Sequence, residues 1–343
     1  MTTLKRISFL AGGLACLGLF TSALRAASAG ADAFVGRWAL TLPSGAGWLG
    51  VEKAGAGYKG ALLWGGGSVE PQTSVTIADG VVTVTKVRQI PASGKKGKGK
   101  KTEAMELTDT LTARLEGDVI KGTRKIAQAN GSFNEVAFSG KRTPALPPRP
   151  NLAKVKFGEA ISLLNGRDLT GWKTKEANLP NAWSVEGGVL ANQPPAHAEG
   201  QPRVRTANLR TEREFEDFNL KLEVNVPAGS NSGVYLRGIY EIQVFDSFGK
   251  ALDSHNMGAL YSRITPSVAA EKRPGEWQSM DMTLVDRHLT VVLNGKTIID
   301  NQPVLGCTGG AMWSDEFRPG PISLQGDHGA VSYRNVVLRP VVR

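Results

Sequence analysis

Short runs of alternating apolar and polar residues, most of them separated by glycine, recur along the chain. At 75–84, VTIADGVVTV, two such runs meet at Asp79-Gly80, and Asn294-Gly295 joins another pair of runs. Asx-Gly pairs favour the tight turns of β-hairpins, and alternation puts every second side chain of a strand on one face. No long segment has the period of an amphipathic helix. The sequence therefore predicts an all-β protein, in agreement with its 41 glycines and 18 prolines.

A proline-rich stretch divides the chain into two parts. Residues 143–151, TPALPPRPN, contain four prolines, which do not fit inside a helix or a central strand, so we interpret them as a linker. Residues 30–142 are then predicted to form a small antiparallel barrel or sandwich of six to eight strands. Residues 152–343 are predicted to form a two-sheet β-sandwich. Three tryptophans of the first domain suit either its core or the wall of a sugar or lipid pocket: Trp38, Trp48 and Trp64.

Residues 1–29 have the organisation of a signal peptide. A basic start precedes an apolar run at 7–20 that is too short to span a bilayer, and Ala27-Ser28-Ala29 resembles a cleavage site. We therefore expect a periplasmic or secreted protein with no stable membrane anchor. Lipid attachment at Cys16 is the alternative, although Gly13 stands where lipoprotein cleavage sites prefer leucine.

The formal net charge is +10, and the segment GKKGKGKK at 94–101 contributes to it. The segment suits a solvated hairpin tip, or alternatively a loop that binds polyanions or the cell envelope. No aromatic residue lies between the lysines to stack on bases, so we expect no nucleic acid partner.

A polar line interrupts the apolar segment 233–247, GVYLRGIYEIQVFDS. Interpreted as one strand, its even positions are mainly apolar and form a core face, whereas its odd positions collect Arg237, Glu241 and Gln243 between Tyr235 and Phe245. Such a face is either an ordinary solvent face or a sugar platform, in which aromatic rings cover the sugar and planar polar groups bind its hydroxyls.

A second polar group lies at 324–331, LQGDHGAV, where Gln325, Asp327 and His328 occupy a glycine-bounded turn. Histidine titrates near neutral pH and suits acid–base catalysis, and Asp327 or Glu241 is placed to orient it or to share a cation with it. The other histidines are weaker candidates, although His255 lies in a loop that could reach the site. They are His197, His255 and His288.

Several enzyme classes lack their motifs. The sequence has no G-x-S-x-G elbow with triad order, no P-loop and no H-E-x-x-H, and no G-x-G-x-x-G lies in a βαβ context. We therefore expect neither a nicotinamide nor a flavin cofactor. A two-carboxylate glycosidase that uses Glu241 and Asp246 with a distant partner is neither excluded nor directly supported.

Six segments, in order, resemble the 3-keto-disaccharide hydrolase family over roughly 156–341. They are FGEAISLLNGRDLTGWK, WSVEGGVLAN, LRTEREFEDFNLKLEVNVPAGSNSGVYLRGIYEIQVFDS, MGALYS, PGEWQSMDMTLVDRHLTVVLNGKTIID and GPISLQGDHGAVSYRNVVLRP. The resemblance implies a concanavalin-like jelly-roll sandwich, preceded here by the smaller antiparallel domain. The proline-rich ANQPPAHAEGQPRVR departs from the family's glycine-rich pattern and leaves the size of the substrate open.

The resemblance also implies a chemistry for these residues. A ketone at C3 of a sugar acidifies the C2 proton, a base removes it, the enolate expels the glycosidic oxygen, and water then adds. On this view Glu241 is the base and His328 is the proton donor or a metal ligand. Arg237, or a divalent cation held by Glu241, Asp246 and His328, stabilises the enolate. The sugar is held by Gln243, Asn231, Gln325, Tyr261 and Trp277.

The ketone has to be made by a separate sugar dehydrogenase, because this chain shows no dinucleotide fold. The alternative is a lectin-like module that presents the same face to a carbohydrate without chemistry, since one fold hosts both functions.

Overall fold

The computed structural model describes residues 30–91, 104–195 and 204–343, and almost all of their regular structure is β-strand. The predictions for residues 1–29, for the lysine-rich segment 94–101 and for His197 lie outside these ranges. Two short 3-10 helices accompany the strands, at Ala31–Phe34 and Leu152–Lys154. Across the described ranges, no helix has the length and hydrophobicity that crossing a bilayer requires.

The first nine strands lie before the proline-rich stretch. They are β1 (Gly36–Leu42), β2 (Gly45–Ala54), β3 (Gly57–Trp64), β4 (Glu70–Pro71), β5 (Ser74–Ala78), β6 (Val81–Ile90), β7 (Met105–Glu116), β8 (Val119–Ala127) and β9 (Phe133–Arg142). Pairing of β1 with both β2 and β9, and of β2 with β3, closes eight of them into an antiparallel barrel, with β4 attached to β3. The hairpin predicted at Asp79-Gly80 is confirmed.

Side chains fill the barrel, as expected for one of this size. Trp38 is fully buried in its core, and its indole nitrogen donates to the carbonyl of Phe34. Trp64 is partly buried and packs edge-on against Phe138. Both tryptophans therefore have packing roles, whereas Trp48 belongs to a different cluster, described below.

Fourteen strands follow the proline-rich stretch. They are β10 (Lys156–Phe157), β11 (Ile161–Ser162), β12 (Trp172–Thr174), β13 (Trp183–Glu186), β14 (Val189–Asn192), β15 (Leu209–Thr211), β16 (Phe218–Asn225), β17 (Asn231–Leu236), β18 (Tyr240–Phe245), β19 (Trp277–Val285), β20 (His288–Leu293), β21 (Lys296–Pro303), β22 (Ser323–Leu324) and β23 (Val331–Val342).

These strands form two sheets around one core. The larger sheet has the order β13-β14-β23-β16-β19-β20-β21, with β10 and β11 paired to β23, and the smaller sheet has the order β12-β15-β22-β17-β18. Apolar side chains from both sheets meet in a single buried cluster. The prediction of an all-β chain, with a jelly-roll sandwich after a smaller antiparallel domain, is confirmed.

Segment 233–247 is a hairpin, and its interpretation as one strand was wrong. β17 and β18 pair with each other and are joined by a turn in which Arg237 and Gly238 have positive φ angles of 55° and 66°. An arginine is uncommon in that conformation. The pair Arg237-Gly238 is not an Asx-Gly pair, so the sequence did not indicate the turn. The even positions still face the core, but Tyr235 now lies directly opposite Glu241.

The barrel packs directly on the sandwich. Trp48 and Leu63 of the barrel belong to the same buried cluster as the sandwich core, and the guanidinium of Arg263 lies 4.6 Å from the ring centroid of Trp48. The proline-rich stretch follows the sandwich surface, where Arg287 donates to the carbonyl of Ala145 at 2.8 Å. The two units therefore share an apolar boundary.

Candidate functional site

A cavity of about 310 Å³ lies over the outer face of the smaller sheet, at the lower end of the size range of small-molecule sites. It brings together six of the predicted site residues: Asn231, Glu241, Gln243, Tyr261, Gln325 and His328. The sheet explains the grouping, because β17, β18 and the residue that follows β22 are neighbours. The other side chains and main-chain groups of its wall come from loops: Gly66, Gly67, Lys175, Glu176, Arg205, Asn208, Gly309, Gly310 and Asp327.

Arg237 does not reach this cavity, so its predicted contact with an enolate is wrong. The turn between β17 and β18 directs its guanidinium to the main-chain carbonyls of Glu316 and Arg318, each at 2.7 Å. Arg237 is 2% exposed, and these bonds use its donors to hold a loop of the sandwich.

Asp246 and Trp277 also lie away from the cavity. The carboxylate of Asp246 accepts from the N–H of Gly229 at 2.9 Å and stabilises the turn before β17. Trp277 is on the larger sheet, where the guanidinium of Arg334 lies 4.1 Å from its ring centroid.

The predicted cation ligands are therefore not assembled, because Asp246 is separated from Glu241 and His328. Among the residues that the structure describes, no group of three or more His, Cys, Asp or Glu side chains is arranged to hold a metal ion.

Glu241 is the central ionisable group of the cavity. Its side chain lies over Gly233 on the neighbouring strand, where an added Cβ would stand 2.3 Å from Oε1. The main chain of Glu241 is also held in place, because its N–H donates to the hydroxyl of Thr308 and its carbonyl accepts from the N–H of Tyr261. The pKa of Glu241 is raised to about 8, mainly by burial and to a lesser extent by the Asp327 charge, whereas the hydrogen bond from Tyr235 and the Lys175 charge act to lower it.

Tyr235 links this carboxyl group to a loop. Its hydroxyl group is 2.9 Å from Oε2 of Glu241 and 2.9 Å from the carbonyl oxygen of Gly309. A phenol has one proton, so it donates to the carboxylate when Glu241 is ionised and to the carbonyl when Glu241 is protonated. Burial and the adjacent carboxylate keep the pKa of Tyr235 well above its ordinary value. Tyr235 therefore accommodates both protonation states of Glu241.

His328 forms a dyad with Asp327. Its Nδ1 lies 2.8 Å from the Asp327 carboxylate, which also accepts from Arg205 at 3.1 Å. Burial alone would raise the pKa of Asp327, but the bonds from His328 and Arg205 outweigh burial and lower it. An ionised Asp327 favours the proton on Nδ1, which leaves Nε2 to exchange protons with a ligand.

Three side-chain amides supply polar atoms that the protein leaves unpaired. The amide oxygens of Asn231, Gln243 and Gln325 are buried and have no hydrogen-bond partner within the described part of the chain. Buried polar atoms are normally paired, so their grouping in one cavity points to a ligand rich in hydroxyl donors.

Sequence reasoning missed Lys175 and the residues that hold it. The ammonium group lies 3.7 Å from Glu176 and donates to the carbonyl of Gly310 at 3.3 Å, while Glu176 accepts from Asn208. The segment after β12 has no motif that marks it, and only the fold brings it to the cavity. His255, the histidine that the sequence placed near the site, packs edge-on against Tyr261 with ring centroids 4.8 Å apart, and it is outside the cavity wall.

Comparisons with known proteins find relatives of part of the chain. The family model described as "3-keto-alpha-glucoside-1,2-lyase-like domain" matches residues 159–339, which are just over half of the 343 residues. A 3-keto-disaccharide hydrolase of Bacteroides thetaiotaomicron is 26% identical over 181 residues, covering 44% of this chain. The match spans 61% of that protein's length.

Two solved structures are similar to part of the chain. A Parabacteroides distasonis protein, named provisionally as a glycosyl hydrolase, is 26% identical with a TM-score of 0.42, covering 58% of this chain and 94% of that one. A carbohydrate binding module of Bacillus subtilis is 12% identical with a TM-score of 0.31, covering 50% of this chain and 95% of that one. On the strength of the family model, which spans nearly the whole sandwich, the chain belongs to the family of 3-keto-alpha-glucoside-1,2-lyase-like domains.

Proposed function

We propose that this protein is a carbohydrate-acting hydrolase that cleaves 3-keto-glycosides, with 3-keto-disaccharides as the substrate class. The observation that carries the proposal is Glu241, a buried carboxyl group with a pKa of about 8 in a cavity lined by unpaired amide oxygens. Groups with strongly raised pKa values in a cleft are candidates for acid–base catalysis. The Bacteroides relative, named a 3-keto-disaccharide hydrolase, supports the choice of substrate.

The reaction has three steps, which are proton abstraction, elimination and hydration. A base takes the proton from C2, which the C3 ketone acidifies, and the electron pair forms an enolate. The enolate then expels the glycosidic oxygen from C1, and that oxygen takes a proton. Water finally adds across the new double bond, with hydrogen at C2 and hydroxyl at C1. The net change is hydrolysis.

Glu241 acts as the base in this scheme. A carboxylate with a pKa near 8 holds a proton more tightly than an ordinary one, so it is the stronger base toward a C–H bond. Tyr235 donates to the ionised form at 2.9 Å and fixes its position. The buried strand fixes the carboxylate further, because Gly233 leaves just enough room for it.

His328 and Lys175 supply the other two functions. His328, oriented by Asp327, donates a proton to the departing glycosidic oxygen. Lys175 replaces Arg237 as the positive group beside the enolate, since it belongs to the cavity wall. The amide groups of Asn231, Gln243 and Gln325 bind the sugar hydroxyls, and Tyr261 covers the sugar from the side.

The reaction requires a second enzyme that makes the ketone, and it takes place in a particular compartment. The 3-keto group requires a sugar dehydrogenase that acts before this protein, because the proposed steps contain no oxidation. The signal-peptide-like pattern of residues 1–29 leads us to place the reaction in the periplasm or outside the cell.

The test compares a 3-keto-disaccharide with its unoxidised parent, each with and without EDTA. We expect cleavage of the keto sugar alone, since the parent has no acidic C2 proton. Cleavage of both would replace the elimination scheme by a direct glycosidase mechanism. Binding of either sugar without cleavage would identify a lectin-like module, and loss of cleavage with EDTA would show that a metal takes part.

A further inference from the structure

We propose that the barrel is part of the substrate site. Its loop Gly65–Ser68 forms the subsite for the sugar that leaves, which is the half of the substrate without the ketone. This inference rests on the proposed function, which supplies the disaccharide as the ligand and Glu241 as the group that removes the C2 proton. The loop joins β3 to β4 and lies outside residues 159–339, the part that the family model matches.

The loop reaches the cavity through its main chain. Gly66 and Gly67 belong to the same wall as Glu241 and His328. The N–H of Gly310 donates to the carbonyl of Gly65 at 3.2 Å, and a Cβ on Gly309 would lie 2.0 Å from the carbonyl oxygen of Gly67. The two backbones therefore touch with no room for a side chain on Gly309. This close approach requires glycine at position 309, because any side chain there would overlap the carbonyl group of Gly67.

Two side chains of the sandwich hold the C-terminal end of the loop in place. Ser68 Oγ and His255 Nε2 are hydrogen bonded at 2.8 Å, and the N–H of Val69 donates to Ser262 Oγ at 2.9 Å. His255 in turn packs against Tyr261 of the cavity wall. The loop is therefore fixed to the sandwich beside a residue that contacts the substrate.

The same contact leads to the catalytic base. The peptide between Gly309 and Gly310 receives a hydrogen bond on one side from Tyr235, whose hydroxyl group also binds Glu241. On its other side this peptide donates to Gly65 of the barrel. When Glu241 is protonated and the Tyr235 proton goes to Gly309, a chain of three hydrogen bonds thus joins the barrel loop to Glu241.

The surroundings of Gly66 indicate that the loop binds a ligand and does not merely pack against the sandwich. A Cβ built on Gly66 meets no atom within 4 Å, and its backbone conformation is one that other residues adopt. Neither sterics nor strain therefore requires glycine here. A bare peptide at the edge of a cavity offers its N–H and carbonyl groups to sugar hydroxyls, and it leaves space for a ring.

The position of the loop assigns the subsite. Glu241 and two of the three amides are on the sheet, so the ring that loses its C2 proton has to lie there. The barrel loop borders the cavity from the other unit of the protein. The second sugar of a disaccharide, attached at C1 of the first, then extends toward this loop.

Gly66→Phe in the full-length protein tests the proposal, because it fills the open space without straining the backbone. The matched control is Ala56→Phe, which adds the same ring to an exposed turn of the same barrel, away from the cavity. Each variant is assayed on a 3-keto-disaccharide and on methyl 3-keto-glucoside, whose leaving group is small. We expect G66F to raise KM for the disaccharide about tenfold or more and KM for the methyl glycoside less than threefold, with A56F unchanged.

Equal KM changes for both substrates, or none, would overturn the subsite assignment. If G66F does not fold, Ser68→Ala releases the loop from His255, and the same selective rise in KM is expected. Calorimetric binding of the unoxidised disaccharide separates this inference from the proposed function. Wild type that binds the unoxidised disaccharide but does not cleave its 3-keto form, together with weaker binding by G66F, would keep the subsite and reject the reaction. Absence of both binding and turnover in wild type would overturn both.

Discussion

Two buried glutamates of this protein share most of their properties. Glu241 and Glu316 are 4% and 2% exposed. Each accepts a hydrogen bond from a tyrosine of the same hairpin, Glu241 from Tyr235 at 2.9 Å and Glu316 from Tyr240 at 3.0 Å. Burial raises the pKa of both carboxyl groups. By burial and pKa alone, the two would be equal candidates for a catalytic acid or base.

Their surroundings separate them. Glu316 lies at the junction of barrel and sandwich, where Arg287 approaches it at 3.9 Å, and Arg287 and Arg263 lower its pKa against the effect of burial. Across the described residues, Glu241 has no cation within 4 Å of its carboxylate, and unpaired amide oxygens share its cavity. Glu316 is therefore part of a structural ion pair, whereas Glu241 is left available to a ligand. A raised pKa marks a functional group only when a ligand can reach it.

Replacing each glutamate by glutamine tests this contrast most strongly. Glu241→Gln should lower kcat on a 3-keto-disaccharide by about 10³-fold, because general-base catalysis is typically worth about 10²–10⁴-fold. Glu316→Gln should keep kcat within about threefold of wild type. Both are measured per folded molecule, with folding checked by circular dichroism.

Tyr240→Phe serves as the second control if E316Q does not fold, since it keeps the carboxylate and removes only the hydrogen bond. An active E241Q protein would remove Glu241 from the mechanism. An E316Q or Y240F protein that folds but loses activity would show that the junction, too, is catalytic.

Gly233→Ala should have the next largest effect. The added Cβ would lie 2.3 Å from Oε1 of Glu241, so the carboxylate has to move away from its position. A displacement of about 1 Å can cost about 10²-fold in rate, and we expect a fall in kcat of about 10–100-fold. Gly57→Ala, on a barrel strand where the nearest atom would be 3.9 Å away, is the matched control. Unchanged kcat in G233A would mean that the carboxylate position is not critical.

The pH dependence of kcat/KM follows from the pKa of Glu241. A base works in its ionised form, so kcat/KM should rise about tenfold per pH unit below 8 and level off above it, because this ratio reports the free protein. Tyr235→Phe should move this limb to higher pH, since the bond from Tyr235 lowers the pKa of Glu241. A limb that falls with pH would instead make Glu241 the acid, with His328 as the base.

The sequence identified the strand that carries Glu241 and Gln243 but not its partner across the sheet. Alternation alone assigns a face, and it did so correctly for the core positions of β17 and β18. The turn at Arg237 has no turn-forming pair, so the sequence could not show that Tyr235 lies opposite Glu241. Arg237 was assigned to the site for the same reason, since one straight strand would have put it in line with Glu241.

Residues that enter the site from loops were beyond sequence reasoning. Lys175 and Gly66 lie in segments without alternation or motif, and their positions depend on how the sheets and the barrel pack. Asp327 and His328 were found because a histidine between an acid and a glycine is a local signal. Local sequence signals thus located the acid–base groups. The packing of distant segments determines that Lys175 is the nearby cation and that the Gly66 loop forms part of the cavity wall.

The smallest expected effect is on stability, where the two glutamates should differ in the size of the pH dependence. Glu241 has a pKa of about 8 in the folded protein and about 4.3 in an unfolded chain. Between these values the folded state holds a proton that the unfolded state has lost, so stability falls as pH rises from about 4.3 to 8. E241Q removes this dependence, and its Tm should exceed that of wild type by a few degrees at pH 8 and by less at pH 5.

Burial also raises the pKa of Glu316, so its contribution to stability falls with rising pH in the same direction. E316Q in addition removes the carboxyl group 3.9 Å from buried Arg287, so its gain in Tm at pH 8 should be smaller than that of E241Q. Thermal unfolding of the three proteins at pH 5 and pH 8 measures both differences. A Tm gain of E316Q at pH 8 as large as that of E241Q would show that Glu316 gains nothing from Arg287 in the folded state, and the contrast between a structural and a catalytic glutamate would then rest on activity alone.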